Sequence, residues 1–593
     1  EQQKKDVKPS EIVSMFCDAD RRGKVEEYCV QDCALCNVLA IKLQTVPNTQ
    51  GMANVCTVPL QYIVLRGQGV KIFSLVVKRA GQQGFVVPTV RKGSDIVAVD
   101  EAGDEEAEGY EGAMVLDPKK GVYKCPVVVC DYSSLYPSCM MAENLSHDTI
   151  ILDPKYDHLP GVEYNEIRYS LGSDPSLPDK VCRFACNQVG ILPTILQELV
   201  SQRRNTRALI KSTKDPFQQA VLDGLQLAYK VTANSLYGQM GAVTSPLYMK
   251  DLAACTTSAG RTMLAKAKEF MESEYQADVI YGDSDSIFCV FPEVRDMEDR
   301  KEALRVAIGT ATEAVGKFKA LVKHPHELTY EKTLMPFILL GKKKYTGMLF
   351  EQADDPGYMK SMGIVLRRRD NANILKVVYG GIIQILLECM DVDRAVDFLD
   401  RSLDKLMAGD FPLEELVITK ALRSNYKNPA VIAHRCLAER MATRDPGNAP
   451  SVGERIPYVY IATSKANVLQ GDRIEHPQFI RDNPRSVKVD HEYYITNQLM
   501  KPVAQLMALV LDEINRAKRP CSRKRPPSEW KQELSKLQRL FPNNPAKVQE
   551  HYDRVREKFT EHYLFDAVLT KLRNKKNKQS TVHDFFSSSS KDH

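Results

Sequence analysis

The chain is 593 residues long, with 43% hydrophobic and 26% charged side chains and a formal net charge of +5. That length and composition call for a soluble globular protein with several cores, or one core with large insertions. The longest apolar stretch, Val377 to Met390, is broken by Gly380, Gly381, Gln384 and Glu388 and is too short to span a bilayer, and the polar start EQQKKDVKPS is not a signal peptide.

From about Pro9 to Val46 the sequence reads as helical. Tyr28 and Asp32 are four apart and share a helix face, where a carboxylate beside a phenol could hold a metal-bound water; from the spacing alone, a surface Asp on an amphipathic helix is the preferred reading. Cys33 and Cys36 form a CxxC with no second pair at zinc spacing, so they read as ordinary helix residues, and the 15 scattered cysteines favour free thiols in a reducing compartment. The segment to about Pro88, with Arg66-Gly67-Gln68, reads as a packed connector. An acidic, Gly-containing loop follows from Gly93 to Gly109.

The run Val127-Val128-Val129-Cys130-Asp131 predicts a buried strand with a carboxylate at its C-terminal end. The tight polar turn after it, Tyr132-Ser133-Ser134-Leu135-Tyr136, could cradle phosphate oxygens on its backbone N–H groups. From Pro193 to about Ser212 a helix with Pro in its first turn carries Arg203 and Arg207 on one face, and the short link Thr213 to Pro216 folds a second helix back on it. On that second helix Lys230, Asn234 and Tyr237 recur at i, i+4 and i+7, followed by Gly238. Such a polar stripe is either a solvated face or an anion site; with Arg203 and Arg207 it would suit a triphosphate.

Tyr281 to Ser286 (YGDSDS) lies between two strand-like pieces, which sets Asp283 and Asp285 at a hairpin tip. Paired carboxylates repel and raise each other's pKa, and a divalent cation with oxygen ligands would compensate them, although a solvated turn also favours Asp and Ser. Beyond a helix near Met297 to Lys323 come Tyr330-Glu331-Lys332, then Lys342-Lys343-Lys344-Tyr345 between two apolar runs, then Arg367-Arg368-Arg369. These clusters, with Lys518 to Arg525 and Lys571 to Lys578, make a polyanion partner plausible. Residues 371 to about 570 read as largely helical with a loop near Arg444 to Pro457, and the low-complexity end predicts a disordered tail.

Two strand-end carboxylates, a cationic helical hairpin between them and basic patches downstream are parts suited to phosphoryl transfer onto a nucleic-acid end, with two metals about 3.5–4 Å apart. DYSSLYPS at 131–138, KVTANSLYG at 230–238 and YGDSDS at 281–286 resemble motifs A, B and C of family B DNA polymerases, in that order and at that spacing. YCVQD at 28–32 resembles the third exonuclease motif, YEGA at 110–113 the motif between exonuclease and palm, and KKKY at 342–345 the usual KKRY. Arg66-Gly67-Gln68, Arg368-Arg369-Asp370-Asn371 and Tyr493-Tyr494 through Lys501-Pro502 are similar to the eukaryotic delta branch and its relatives in large DNA viruses, with a viral enzyme the better fit.

The resemblance implies an α+β right-hand polymerase. Its parts are the end of an exonuclease domain (1–45), a connector and acidic loop (46–118), palm (119–186 and 244–370), helical fingers (187–243), thumb (371–577) and tail (578–593). It implies that Asp131, the Tyr132 carbonyl and Asp285 hold two magnesium ions, with Asp283 assisting. Tyr132, Ser133, Ser134, Leu135, Arg203, Arg207 and Lys230 would bind the deoxynucleoside triphosphate, and Lys230 would also donate a proton to pyrophosphate. Tyr136 resembles the steric gate against a 2′-hydroxyl, and Asn234, Tyr237 and Gly238 would face the nascent base pair. Lys342, Lys343, Lys344, Tyr345, Arg368 and Arg369 would follow primer–template DNA. The implied setting is DNA replication by a monomeric catalytic chain in the nucleus, or at a cytoplasmic replication site for a viral enzyme.

Three departures qualify the resemblance. With the first two exonuclease motifs missing, Asp32 lacks partner carboxylates, and the chain reads as the C-terminal portion of a longer enzyme that by itself does not proofread. Only Cys521 follows Cys436, so neither zinc nor an iron–sulfur cluster is expected. KKKY keeps the charge of KKRY but loses a guanidinium fork. In the tail, Gln579, Val582, Phe585 and Phe586 follow the spacing of sliding-clamp ligands, and their place at the end of a polymerase-like chain favours a sliding-clamp partner over a chance pair of aromatics in a frayed terminus. A non-catalytic, polymerase-like DNA-binding scaffold and a polymerase using RNA template or ribonucleotides are the competing readings.

Overall fold

The computed structural model describes residues 7, 9–87, 110–171, 179–463, 468–514, 527–542 and 544–576. The acidic loop from Gly93 to Gly109 and the clamp-like residues Gln579, Val582, Phe585 and Phe586 lie outside them.

Twelve strands, numbered in chain order, form among the described residues. They are β1 (Gly121–Tyr123), β2 (Val127–Tyr132), β3 (Tyr164–Tyr169), β4 (Lys180–Ala185), β5 (Asp278–Asp283), β6 (Ser286–Val290), β7 (Leu328–Gly341), β8 (Lys344–Phe350), β9 (Tyr358–Met362), β10 (Ile418–Ala421), β11 (Arg455–Tyr460) and β12 (Ile474–Glu475). The central antiparallel sheet runs β5-β6-β2-β7-β8-β9, with β1 also paired to β7. This puts β2, the apolar run read from the sequence, between β6 and β7 and buries it completely at Val127, Val128 and Cys130.

Strand alternation gives the sheet two different faces. Val128, Cys130 and Tyr132 of β2 pack with Ile287 and Cys289 against the helices Lys250–Glu274 and Arg300–Phe318, through Leu264, Ala267, Met271, Ala307 and Ala311. Val127 and Val129 point the other way, into a cluster with Tyr281, Phe288, Phe337 and Tyr345. The alanines of the Arg300–Phe318 helix let it lie close on the sheet, and Asp299 caps it by accepting from the Lys301 and Glu302 N–H groups.

The helices Ile191–Ser212 and Pro216–Gly241 form the antiparallel hairpin expected from the Thr213–Pro216 link, with Asp215 capping the second by accepting from the Phe217 N–H. Ala228, Thr232, Ala233, Leu236 and Met240 bury one face of the second helix. The N-terminal part contributes helices Pro9–Cys17, Arg22–Lys42, Thr45–Cys56, Leu60–Leu65 and Gln68–Gln82, so the connector to about Pro88 is helical and packs on the hairpin through Val55, Cys56, Ile72 and Leu75.

Two elements differ from the sequence reading. The region after 371 is helical but also contains the three-stranded sheet β10-β11-β12, and β11 begins inside the stretch read as a loop. These strands are two to six residues long, too short to carry an alternation signal distinct from the helices around them. The β3–β4 hairpin was likewise absent from that reading.

Candidate active site

Asp131 is the penultimate residue of β2, on the face away from the packed helices. It lies opposite Ser286 of β6, and the neighbouring Tyr132 N–H donates to the Asp285 carbonyl at 2.8 Å. The β5–β6 turn that carries Asp285 is thereby fixed beside Asp131 by backbone pairing. Asp283 closes β5 against Ser286, and the tip residue Ser284 has φ +61°.

The charges reflect this juxtaposition. Burial, the Asp285 carboxylate and the Glu331 carboxylate push Asp131 up to about 7, opposed by Lys332 and Lys230. Burial also raises Asp285, with Asp283 and Glu331 adding to the effect and Lys343 opposing it. Donors of this type, oxygen ligands disfavoured as anions by one another, fit a divalent cation. Among the described residues, no group of three or more His, Cys, Asp or Glu side chains is gathered at ligating geometry. Asp131 and Asp285 are the carboxylates that the sheet sets beside each other here, and such a pair could hold a divalent cation.

Glu331 and Lys332 belong to the same face, and the sequence reading gave them no role. The β2–β7 register shifts between Val129, opposite Lys332, and Cys130, opposite Tyr330, leaving Glu331 unpaired in a bulge. The bulge brings Glu331 into range of both aspartates, and Lys332 Nζ donates to Glu331 at 2.8 Å. The motif was visible as Tyr330-Glu331-Lys332; its direction depends on a bulge that no local pattern announces.

After Tyr132 the chain turns through Ser134, at φ +56°, into the helix Leu135–Ala142. The Ser133 N–H is used by the Glu327 carbonyl, at 2.9 Å, whereas Ser134 and Leu135 sit at a helix start, where N–H groups lack intrahelical acceptors. Tyr136 stacks at a tilt on Tyr237, ring centroids 4.6 Å apart, and burial pushes its phenol up to about 12. The hairpin stripe faces outward: Lys230, Asn234, Gly238 and Arg207 are exposed, with Arg203 and Tyr237 half-buried. Arg203 lies close enough to feel the Arg207 charge and donates to Gln226 at 3.3 Å.

The KKKY turn is tied to the carboxylate hairpin. Lys343 Nζ donates to Asp283 at 2.5 Å, its backbone N–H donates to the Tyr281 hydroxyl at 2.8 Å, and Lys342 pairs with Asp117 at 2.8 Å. Gly363, at φ +63°, leaves room for the turn, because a Cβ there would lie 1.8 Å from the Lys343 carbonyl oxygen. Lys344, Arg368 and Arg369 are exposed, and Lys344 and Arg368 line a cleft of about 640 Å³ with Gln505, Tyr552 and Arg556. Tyr345, grouped with the DNA-facing residues in the sequence, points inward instead. Strand alternation turns it from Lys344 into the aromatic cluster, 5.3 Å from Phe288 and 5.7 Å from Phe337. Tyr28 and Asp32 lie on the Arg22–Lys42 helix, remote in sequence from every strand of this site.

Comparison with known proteins gives this geometry its context. Residues 58–510 match the model of DNA polymerase family B. The chain is 46% identical to a DNA polymerase of Pyramimonas orientalis virus, over 98% of this chain and 52% of that protein. It is 34% identical to the DNA polymerase delta catalytic subunit of Caenorhabditis elegans, over 86% of this chain and 46% of that one. The family B DNA polymerase from the hyperthermophilic archaeon Pyrobaculum calidifontis aligns with a TM-score of 0.59 and 25% identity, covering 84% of this chain and 58% of that structure. The chain spans about half the length of the curated relatives it matches. With the family model matching residues 58–510, and relatives above 30% identity aligned along most of the sequence, the chain belongs to DNA polymerase family B.

Proposed function

We propose that this chain carries the polymerase centre of a replicative, delta-like enzyme, adding deoxynucleoside monophosphates to a primer 3′ end on a DNA template. The observation that carries the proposal is the pairing of Asp131 with Asp285 across β2 and β6, next to an outward-facing cationic hairpin.

Asp131, the Tyr132 carbonyl and Asp285 would hold two magnesium ions, which supply charge neutralisation at the attacking and leaving oxygens of the phosphoryl transfer. The remaining roles are those of the chain's own groups. The Ser134 and Leu135 N–H groups, with Ser133 beside them, receive triphosphate oxygens at the start of the Leu135–Ala142 helix. Arg203, Arg207 and Lys230 meet the outer phosphates from the hairpin, and Lys230, whose charge reaches Asp131, carries the proton for pyrophosphate. Tyr136 lies under the sugar and excludes a 2′-hydroxyl. Asn234, Tyr237 and Gly238 border the new base pair, while Lys343, Lys344, Arg368 and Arg369 engage the duplex backbone. Domain limits follow the same reading: palm 119–186 and 244–370, fingers 187–243, thumb 371–577. A sliding clamp bound through Gln579, Val582, Phe585 and Phe586, and action in the nucleus or at a viral replication site, complete the proposal.

Primer extension tests it directly. The protein with magnesium and all four deoxynucleotides extends a primed DNA template, and Asp285→Ala does not. Extension by Asp285→Ala at the parent rate overturns the assignment.

A further inference from the structure

Tyr136 is held from below by a residue without a side chain. Gly260, buried within the Lys250–Glu274 helix, lies so close that a Cβ there would stand 2.9 Å from Tyr136 Cε1, 3.4 Å from Cδ1 and 3.7 Å from Leu135 Cδ2. The first of these is shorter than non-bonded carbons approach. On another side the ring meets Tyr237, 4.6 Å between centroids at a 47° tilt.

Neither backbone is free to retreat. One residue beyond Gly260, the largely buried Arg261 donates to the Glu111 carbonyl at 2.6 Å and the Gly112 carbonyl at 2.9 Å, and three residues before it Thr257 Oγ1 donates to the Glu111 carbonyl at 2.8 Å. The Tyr132 hydroxyl, on the chain leading to Tyr136, donates to the Met263 carbonyl of the same helix at 2.7 Å. Tyr132 thus ties the gate segment to the helix, and Thr257 and Arg261 tie the helix to Glu111 and Gly112. Any group added at 260 must be accommodated by the Tyr136 ring.

We infer that Gly260 is a specificity-determining positioning residue: its bare backbone is the seat that sets the height of the Tyr136 ring, and through it sugar selection. This rests on the reading of Tyr136 as the gate. The residue acts through the ring and touches no substrate. Lifting the ring penalises the substrate that stacks on it, the deoxynucleotide, more than the ribonucleotide already turned away. The deoxy-to-ribo ratio therefore narrows.

Single-nucleotide insertion kinetics on primed DNA, with Gly260→Ala, Tyr136→Ala and the double variant, test the inference. Gly260→Ala raises KM for the deoxynucleotide and narrows the deoxy-to-ribo ratio of kcat/KM by about threefold to tenfold, the order expected for a displacement well under 1 Å. In the Tyr136→Ala background the same substitution leaves that ratio unchanged, because the ring it acts through is gone. An unchanged ratio in folded Gly260→Ala, or an equal effect with and without the ring, overturns the seat. Tyr136→Ala that fails to relax discrimination removes the gate reading itself, and the seat with it; relaxation by Tyr136→Ala without an effect of Gly260→Ala removes the seat alone. Should Gly260→Ala not fold, removal of the ring restores folding in the double variant, and a double variant that also fails to fold overturns the inference.

Discussion

Asp283 and Asp285 stand two residues apart on one hairpin and serve different partners: Asp283 accepts from Lys343 Nζ at 2.5 Å, while Asp285, its carbonyl receiving the Tyr132 N–H, sets its charge beside Asp131. Two carboxylates that look equivalent in YGDSDS are made unequal by what the sheet brings to each. Asp285→Asn is expected to lower primer extension by at least about a thousandfold, roughly 4 kcal/mol of transition-state stabilisation. Asp283→Asn acts at one remove, through the position of Lys343, and should cost about tenfold to a hundredfold. Single-turnover extension rates for the two variants check the order; equal losses would contradict it.

The mutual repulsion of Asp131 and Asp285 predicts how magnesium affects the fold. A cation that binds the folded pair and not the unfolded chain stabilises by mass action. The melting temperature of the parent protein should therefore climb with magnesium concentration. Asp131→Asn, which removes one charge of the pair, should melt at or above the parent without magnesium and respond little to its addition. Differential scanning fluorimetry over a magnesium series reads both effects.

Much of this site was legible in the sequence because its signals are local. Val127 to Asp131 announces a buried strand by its apolar run, the Arg203/Arg207 and Lys230/Asn234/Tyr237 spacings are helical, and YGDSDS spans the turn that joins two short strands. What escaped depends on contacts between distant segments. Glu331 joins the aspartates through a bulge, Tyr345 turns inward by strand parity, Gly260 matters because of a ring more than a hundred residues earlier, and β10 to β12 are too short to signal themselves.

Gly363 offers a test of the KKKY turn that does not depend on catalysis. Its φ of +63° is costly for residues with a side chain, and a Cβ would collide with the Lys343 carbonyl oxygen, a backbone atom that cannot swing aside. Gly363→Ala should destabilise by about 2–4 kcal/mol, combining backbone strain with the displaced turn. Urea unfolding measures the loss. Duplex DNA affinity should fall as well, since the turn carries Lys343 and Lys344.

The small sheet β10-β11-β12 supplies a prediction in pH. Glu475 of β12 is 5% exposed and accepts two hydrogen bonds from Arg444, at 3.0 and 2.9 Å, and one from the His476 N–H at 2.9 Å; the same guanidinium lies 3.9 Å over the Phe479 ring. Burial pulls this carboxyl upward, but the Arg444 bonds, the His476 N–H and the Arg440 charge outweigh it and hold it below its ordinary 4.5. In the window between the folded and ordinary values the unfolded chain binds more protons, so stability rises with pH there. The contribution is complete above the ordinary value and is lost as pH falls through the folded one. Glu475→Gln should cost about 2–3 kcal/mol near neutral pH, less than the 3–5 kcal/mol of a fully buried pair because Arg444 keeps contact with water. The substitution should also flatten the acid limb: as pH falls below the ordinary value the parent loses stability faster than the variant. Urea midpoints across that range decide the matter, and parallel curves for the two proteins would show that the Arg444 contact does not hold this carboxyl in its charged form.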